Sequence, residues 1–341
     1  MPTAAVLSFR FTDTDGVSAV ARTWIDQLRH LGFDVVTIAG VEPADRVVDG
    51  LGLRWPHPPS VADVTAALAD IDLTVVENLA TIPLNVAAAQ VVGQVLAGRP
   101  AIMHHHDPPW HRPQWRDVTE LPIHDEAWRH VVLTETARRE FAERGWQATV
   151  IRNAFGEPQT HERGATRAAL GVADDERLVV HPVRAIERKG VPAAIALTEA
   201  LGGTYWLLGP AEDGYGPTLD VAFSAARCRV IHRAWPRIDD VYAAADLVAY
   251  PSTWEGFGNP PVEAALRHRW TAIGDYPVAQ ELRSLGFEFA DPTRPDDVAA
   301  LLEADDRGPL ERNAELARRE FSTQRMADDL QQLLDEAGWL P

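Results

Sequence analysis

The sequence predicts an α/β protein built from two doubly wound, parallel-sheet domains. Helical patterns alternate with short Val-, Ile- and Leu-rich runs along most of the chain, which is typical of βαβ units. The 341 residues exceed what one hydrophobic core usually organises, so two domains are expected. No internal repeat and no low-complexity tract interrupts the alternation, which argues against a solenoid or a disordered chain.

The first βαβ unit can be followed along the chain. Residues 4–9 form an apolar run that predicts a strand, and a polar turn follows it. Apolar residues then recur at three- and four-residue spacing from Val17 to Leu31, which predicts an amphipathic helix that ends at Gly32. Residues 33–38 predict the next strand. Further strands are predicted at 73–76, 101–105, 131–133 and 148–151, with a helix over 84–96.

A polar segment divides the chain into two halves. We assign residues 1–155 to a first domain, 156–175 to a linker, 176–320 to a second domain and 321–341 to a C-terminal helix. Strands of the second domain are predicted at 178–183, 205–208, 229–232, 247–250, 271–273 and 287–289.

Charge and composition limit the classes of partner. The formal net charge of −18 repels nucleic acid and anionic lipid, so we expect neither as a partner and no firm membrane association. The single cysteine excludes an intrachain disulfide and a cysteine-based metal site. The first residues lack the basic, then apolar pattern of a secretory signal peptide, which predicts a cytoplasmic protein.

The strongest functional signal is the segment 251–264, which follows a predicted strand and precedes a predicted helix. Gly256 and Gly258 allow backbone amides to come close to a ligand, and a helix N-terminus favours phosphate. Glu255 lies on the loop and Glu263 on the first turn of the helix, so the two carboxylates can accept hydrogen bonds from different hydroxyls of one ligand. The alternative is a structural turn with two solvated glutamates.

A second signal is a loop with two cations, directly after the strand that ends at Val183. Arg184 and Lys189 are five positions apart at the carboxyl end of that strand, and together they can reach a diphosphate. The alternative is a charged loop that is merely solvated. A third signal is the loop 12–18, in which Gly16 stands beside Asp15; a plain βα turn explains it equally well.

A fourth signal is the run of histidines at 104–106. On a strand His104 and His106 share one side, and with Asp107 or His111 they form a set that can bind zinc. A packed structural cluster is the alternative. Trp110 and its aromatic neighbours offer flat surfaces for a sugar ring.

These motifs together resemble retaining glycosyltransferases of the GT-B architecture, in which two Rossmann-like domains face each other across a cleft. Glu255 and Glu263, with seven residues between them, look like the family's E-x7-E signature, and the closest group is glycosyltransferase family four. The resemblance implies that Glu255 contacts the donor sugar and that Glu263 holds the ribose hydroxyls. Amides of the donor-binding loop would cover sugar and phosphate; that loop comprises Gly256, Phe257, Gly258 and Asn259.

The resemblance extends to the other motifs. Arg184 and Lys189 are similar to the family's diphosphate clamp, although Val183 stands where the family usually has glycine. Gly16 lies in a loop similar to the family's Gly-Gly-Val loop, of which one glycine is replaced by Asp15. His106 and Asp107 are similar to the His-Asp element whose histidine touches the donor sugar.

The resemblance implies transfer of a hexosyl group, glucosyl or mannosyl, from a nucleotide-diphosphate sugar to a hydroxyl acceptor, with retention of configuration. The catalytic residues would be Arg184, Lys189, Glu255 and His106, with Asp107, Trp110 and His111 on the acceptor side. The acceptor would be a small molecule, a glycan or a natural product. No metal and no cofactor is expected, and the C-terminal helix would brace the first domain. A phosphorylase, a nucleotide-sugar epimerase and a non-catalytic nucleotide-sugar-binding protein are the alternatives.

Overall fold

The computed structural model describes residues 1–12, 16–53, 55–159, 161–304 and 306–341. The chain divides into two compact units, one of Met1–Ala154 with Thr323–Pro341 and the other of Phe155–Ser322. Each unit has its own parallel sheet, so the predicted α/β class with two parallel sheets is confirmed. No helix among these residues is both long enough and apolar enough to cross a membrane.

The first unit contains a seven-stranded parallel sheet with the order β3-β2-β1-β4-β5-β6-β7. Its strands are β1 (Thr3–Leu7), β2 (Asp34–Ala39), β3 (Arg46–Val47), β4 (Leu73–Glu77), β5 (Ala101–His105), β6 (Trp128–Val132) and β7 (Ala148–Val150). Its helices before the second unit are α1 (Gly16–His30), α2 (Val61–Ala67), α3 (Val86–Leu96) and α4 (Glu135–Glu143). The strand order reverses between β1 and β4, which places a ligand crevice at the carboxyl ends of these strands.

The second unit contains a five-stranded parallel sheet with the order β10-β9-β8-β11-β12. Its strands are β8 (Leu178–His181), β9 (Thr204–Leu207), β10 (Val230–His232), β11 (Leu247–Tyr250) and β12 (Trp270–Ile273). Its helices are α5 (Arg163–Leu170), α6 (Val191–Ala200), α7 (Gly216–Ala225), α8 (Ile238–Ala244), α9 (Asn259–Leu266), α10 (Pro277–Ser284), α11 (Pro295–Glu303) and α12 (Gly308–Glu320). Here the order reverses between β8 and β11, the two strands that precede the strongest sequence motifs.

The predicted linker at 156–175 is wrong over part of its length, because α5 lies within it and is packed into the second unit. Arg167 is fully buried; it donates to the carbonyl of Ala244 at 2.8 Å and pairs with Asp246 at 3.3 Å. Arg163 pairs with the same carboxylate at 2.6 Å. Buried arginine hydrogen bonds attach this helix, together with Leu170, which is buried in the core of the second unit.

The predicted strand at 287–289 is also wrong. Phe287 and Phe289 lie in a loop with their rings stacked 5.5 Å apart, and Phe287 packs against Phe321. The sheet contact nearby is one isolated bridge between Ala272 and Ala290. A loop can bury aromatic side chains as well as a strand can, so their presence did not distinguish the two.

The C-terminal helix α13 (Thr323–Ala337) belongs to the first unit. Met326, Leu330 and Leu334 on one face are buried in the same core as Trp24 and Leu28 of α1. Their spacing of four positions places them on one side of the helix, which explains why this face is covered.

Candidate functional site

Two loops of the second unit, which follow β8 and β11, are joined at the point where the strand order reverses. Gly190 has a φ of +68°, and a Cβ there would lie 2.5 Å from the carbonyl oxygen of Pro251, so the close approach requires glycine. The amide of Thr253 donates to the carbonyl of Arg188 at 2.9 Å. The two predicted motifs therefore form one surface.

Glu255 is the centre of this surface. Its side chain is buried, and both carboxylate oxygens have a cationic partner: Nζ of Lys189 at 2.6 Å and a guanidinium nitrogen of Arg188 at 2.6 Å. Lys189 is buried too, and it also donates to the hydroxyl of Tyr250 at 3.1 Å. The two motifs are thus joined by a direct ion pair between Lys189 and Glu255.

Burial and neighbouring charge oppose each other in this cluster. Burial lowers the pKa of Lys189 to about 8, although Glu255 counteracts this effect. Burial raises the pKa of Glu255, but Lys189 and Arg188 outweigh it, so the pKa of that carboxyl falls below its usual value. One carboxylate against two cations leaves a net positive charge, which favours a phosphate ligand.

Lys189 is the only lysine in the 341 residues. Every other basic position that is not histidine is an arginine, so an ammonium group at this site does not follow from a lysine-rich composition. A compact ammonium fits a narrow buried position where a planar guanidinium does not, and its pKa shifts more readily.

Arg184 lies on the same loop but does not contact Glu255. Its guanidinium donates to Glu212 at 2.6 Å, and its side chain is half exposed. An exposed pair of this kind exchanges partners at low cost. Contact of Arg184 with a diphosphate remains a prediction that requires it to leave Glu212.

The glycine-rich loop leads into α9. Gly258 has a φ of +95° and directly precedes Asn259, the first residue of the helix, whose first turn contains Pro260 and Pro261. The ring of Phe257 is buried against Phe155 and Phe321, so this residue can offer a donor only its backbone. The amides of this loop and the N-terminus of α9 are suited to an anion.

Glu263 is the fifth residue of α9 and lies just beyond the first turn on which it was predicted, apart from the ion pairs around Glu255. It accepts a hydrogen bond from the hydroxyl of Tyr242 at 2.6 Å. Burial raises the pKa of Glu263, and the bond from Tyr242 only partly offsets this effect. Arg267, one turn later, is paired with Asp239 at 2.6 Å, and its charge also lowers the pKa of Glu263. Among the described residues, none donates a hydrogen bond to the second carboxylate oxygen of Glu263.

In the first unit, His104 and His106 form hydrogen bonds with the carboxylate of Glu77, which was not among the site residues predicted from the sequence. Glu77, the last residue of β4, is fully buried and lies 3.1 Å from Nδ1 of His104 and 2.7 Å from Nε2 of His106. Strand alternation places both rings on one face, as predicted. These three side chains are also the one group of potential metal ligands found in the described parts of the chain, with all ligand atoms within 4.8 Å of one another.

The zinc set considered from the sequence is wrong in its remaining members. Asp107 accepts from Arg112 at 2.9 Å and from Asn78 at 3.3 Å, and His111 is bound to Glu140. Neither side chain joins the histidine pair, because each is held by a residue that the sequence did not connect with it.

His105 faces the opposite side of the strand. Its Nδ1 lies 2.6 Å from the hydroxyl of Thr81 and its Nε2 lies 2.8 Å from His130, which in turn lies 2.8 Å from the exposed His124. Burial lowers the pKa of His130 to about 4 and that of His105 well below its usual value. These imidazoles are therefore neutral at neutral pH and serve as packed, hydrogen-bonded core groups.

The predicted acceptor-side residues Trp110 and His111 are attached to α4. Trp110 Nε1 donates to Glu140 at 3.0 Å, and the guanidinium of Arg144 lies 3.9 Å from the centre of its ring. One face of Trp110 is thus covered by a cation, which leaves less aromatic surface for a sugar than the sequence suggested. Their acceptor role stays a prediction.

Gly16 is the first residue of α1, and a Cβ there would meet no atom within 4 Å. Its neighbours Asp13, Thr14 and Asp15 lie outside the described residues. The role of this loop in donor binding therefore stays a prediction.

A cavity of about 450 Å³ in the second unit lies at the amino ends of the strands, opposite the two motif loops. Its lining includes Arg177, Asp246 and Trp270, which stand at the amino ends of β8, β11 and β12. Ligands of open α/β sheets bind at the carboxyl ends, so this cavity is separate from the donor-site loops.

Sequence reasoning missed Glu77, Asn78 and Arg188. The first two follow the apolar run 73–76 directly, and polar residues at the carboxyl end of a buried strand are a signal that points to a site. Arg188 stands beside Lys189 in the loop, but its pairing with Glu255, 67 positions away, depends on the fold.

The two parallel-sheet α/β units, each with polar loops at the switch point of its sheet, have the GT-B fold. No family model matches the chain. The chain is 26% identical to mannosylglucosylglycerate synthase of Petrotoga mobilis, over 83% of this chain and 85% of that protein.

Solved structures share the fold. HepE of Anabaena, in complex with UDP-glucose, superposes with a TM-score of 0.78 at 19% identity, covering 98% of this chain and 99% of that one. Sucrose-phosphate synthase of Thermosynechococcus elongatus gives a TM-score of 0.74 at 15% identity and covers 98% of both chains. These similarities confirm the predicted GT-B fold.

Proposed function

We propose that this protein is a retaining glycosyltransferase that moves a glucosyl or mannosyl group from a nucleotide-diphosphate sugar to a hydroxyl-bearing acceptor. The observation that carries the proposal is the buried cluster of Lys189, Arg188 and Glu255 at the switch point of the second sheet. It combines a positive charge for a diphosphate with a carboxylate that accepts hydrogen bonds from sugar hydroxyls.

The similar proteins support the choice of donor. HepE was solved in complex with UDP-glucose, and the Petrotoga protein is named for the product mannosylglucosylglycerate. UDP-glucose and a mannosyl nucleotide are therefore the first donors to test. Glycerate and glucosylglycerate belong in the acceptor panel for the same reason.

In the proposed reaction, the acceptor oxygen bonds to the anomeric carbon while the bond from that carbon to the diphosphate oxygen breaks. The acceptor proton passes to the departing diphosphate, and attack from the face that the diphosphate leaves retains the configuration. Lys189 and Arg184 stabilise the charge that develops on the diphosphate, which is worth about 10²–10³ in rate for a preorganised donor. Neither a metal nor a cofactor takes part.

Other residues of the proposed site orient the donor. Backbone amides from Gly256 to Gly258 bind the phosphates, and Glu263 accepts from the ribose hydroxyls. His106 contacts the transferred sugar, and Asp107 lies on the acceptor side. Holding donor and acceptor in one geometry supplies much of the remaining rate acceleration.

The test is a panel of nucleotide sugars against the purified chain, read by thermal shift and by slow release of nucleoside diphosphate. We expect one donor to raise the melting temperature and to be hydrolysed slowly, with both effects lost in Lys189→Ala. Arg184→Ala should lose turnover too, whereas Arg312→Ala should not. Arg312 is a matched control, because it forms a similarly exposed 2.6 Å ion pair, with Glu288, and neither residue belongs to the two motif loops.

The other outcomes separate the alternatives. If a donor binds but is neither transferred to any acceptor nor hydrolysed, the chain is a nucleotide-sugar-binding protein. Turnover that depends on inorganic phosphate indicates a phosphorylase. If no nucleotide sugar binds, the proposal is wrong.

A further inference from the structure

Two consecutive polar residues at the end of β4 form hydrogen bonds with residues at the end of β5. Glu77 and Asn78 are buried, and together they contact both histidines of the face that contains His106. In the parallel register Glu77 is the partner of His104, so these contacts follow from the pairing of β4 with β5.

Glu77 determines where the protons of its two partners lie. Its carboxylate lies within hydrogen-bond distance of two imidazole nitrogens, 3.1 Å from Nδ1 of His104 and 2.7 Å from Nε2 of His106. A carboxylate that accepts both hydrogen bonds requires a proton on each of these nitrogens. In neutral His106 the other ring nitrogen, Nδ1, then has a free lone pair.

Nδ1 of His106 has no hydrogen-bond partner among the residues that the structure describes. The ring is 7% exposed, whereas His104 is fully buried against the ring of Trp24 at 4.4 Å. His106 therefore presents the one open acceptor of this pair.

Asn78 holds the backbone on which this imidazole is mounted. Its side-chain oxygen accepts from the amides of His106 at 3.1 Å and of Asp107 at 3.2 Å, and its nitrogen donates to the carboxylate of Asp107 at 3.3 Å. Its own φ is +57°, a left-handed conformation that asparagine tolerates better than most residues. The turn is thus built around this side chain.

We propose that Glu77 and Asn78 are positioning residues of the His106 site: Glu77 keeps the imidazole proton on Nε2, so that Nδ1 accepts a hydrogen bond from a hydroxyl of the transferred sugar, and Asn78 fixes the backbone that aims it. This role rests on the proposed function. It predicts selection for a sugar with a hydroxyl at the contacted position, because a deoxy analogue would leave Nδ1 unpaired.

The tautomer is tested directly by NMR on the full chain labelled with ¹⁵N-histidine. Two-bond ¹H–¹⁵N correlations distinguish the ring tautomers, and His106→Gln assigns the His106 signals. We expect the Nε2–H form in the wild type and a mixed or reversed population in Glu77→Gln, whose amide both donates and accepts. An Nδ1–H wild type, or an unchanged tautomer in Glu77→Gln, overturns the proposal.

Kinetics supply the functional readout. We expect Glu77→Gln to lower kcat by about 10–100-fold, as for other groups that orient a ligand through a second residue. The Kd for the nucleoside diphosphate should stay within about twofold of the wild type, since the diphosphate is bound by the Lys189 cluster. Glu77→Asp retains the charge and should recover part of kcat. Asn78→Gly allows the positive φ but deletes the side-chain contacts, and it should lower kcat about tenfold.

Glu135→Gln, which changes an exposed carboxylate on α4, is the control for a loss of negative charge in the same unit. Loss of kcat in Glu77→Gln with a normal tautomer and a lowered melting temperature would indicate a merely structural role and overturn the proposal. A stoichiometric metal in the protein as purified would also overturn it, because the metal would take the same nitrogen atoms.

The two proposals fail in different ways. If the wild type neither binds nor turns over any donor, the proposed function is wrong, whatever the tautomer of His106. If the wild type is active and Glu77→Gln is equally active, the positioning role is wrong and the transferase function stands.

Discussion

Each unit buries a carboxylate at the carboxyl end of a central strand, but the side chains that bind the carboxylate differ between the units. Glu255 in the second unit is held by an ammonium and a guanidinium at 2.6 Å each. Glu77 in the first unit is held by two imidazoles at 3.1 and 2.7 Å. Both carboxylates have a lowered pKa, so both are ionised at neutral pH.

The difference lies in the charge that remains. The Glu255 cluster has two cations and keeps a net positive charge, which suits a diphosphate. In the Glu77 cluster, burial lowers the pKa of His104, so that ring is neutral at neutral pH. Imidazoles hold this carboxylate through directed hydrogen bonds, and in the proposed function such a site suits recognition of a neutral hydroxyl. Under the two proposals, the same kind of buried group, a carboxylate, would serve two kinds of recognition.

The largest expected effect comes from neutralising the carboxylate of the cationic cluster. Glu255→Gln should lower donor turnover by about 10²–10³-fold. The donor sugar loses the carboxylate that accepts its hydrogen bond, and Lys189 loses its counter-ion. Steady-state hydrolysis of the donor identified by the panel measures this effect. A loss below tenfold would show that the charge of Glu255 matters no more to turnover than the geometry set by Glu77.

A pH profile tests the cationic cluster without mutation. The pKa of Lys189 is lowered to about 8, so kcat/KM should fall about tenfold per pH unit above that value as the ammonium loses its proton. Since Lys189 is the only lysine, protein labelled with ¹³Cε-lysine gives one lysine signal whose shift reports this titration. A titration near pH 10.5 would contradict the burial argument. In Glu255→Gln the midpoint should fall further.

The first unit should be the more sensitive to acid. The folded-state pKa of His130 is about 4, below the 6.5 of the unfolded chain, so the unfolded state binds the proton first. Its contribution, about 3 kcal/mol, is complete above pH 6.5 and is lost as pH falls toward 4. Burial also lowers the pKa of His104 and His105 in the first unit. Among the described residues of the second unit, His181 is the one histidine whose pKa is lowered.

Hydrogen exchange read by mass spectrometry at pH 7 and pH 5 checks this prediction. Peptides of β5 and β6 should lose more protection at pH 5 than peptides of β8 and β9. His130→Gln should reduce the difference, since the amide does not titrate. Equal loss in both units would contradict the expected contrast.

The smallest expected effect is at Glu263, the second carboxylate of the donor loop. Tyr242→Phe removes one hydrogen bond to it, worth about 1 kcal/mol, and should raise the KM for the donor several-fold with little change in kcat. A change in kcat of the size expected for Glu255→Gln would place Glu263 near the reacting atoms instead of the ribose.

Most of the architecture could be predicted from the sequence, because parallel strands and amphipathic helices leave local patterns. Strand 101–105 was predicted with its observed bounds, and so was 247–250. The sequence also predicted that each motif loop follows a strand, but only the strand order shows that these two strands are neighbours. Phe287 and Phe289 were misassigned, because aromatic residues are buried in loops as well as in strands. The predicted linker covered α5, because the segment 156–166 is rich in polar residues.

The sequence by itself determined the α/β class, the two parallel sheets, the face that His104 and His106 share and the positions of the two motif loops. Those properties depend on residues within a few positions of one another. Only the tertiary structure decided that Arg188 joins Lys189 on Glu255, that Arg184 pairs with Glu212, and that Glu77 and Asn78 hold His106. These partners are 27 to 67 positions apart and meet through strand order and register, which no local pattern encodes.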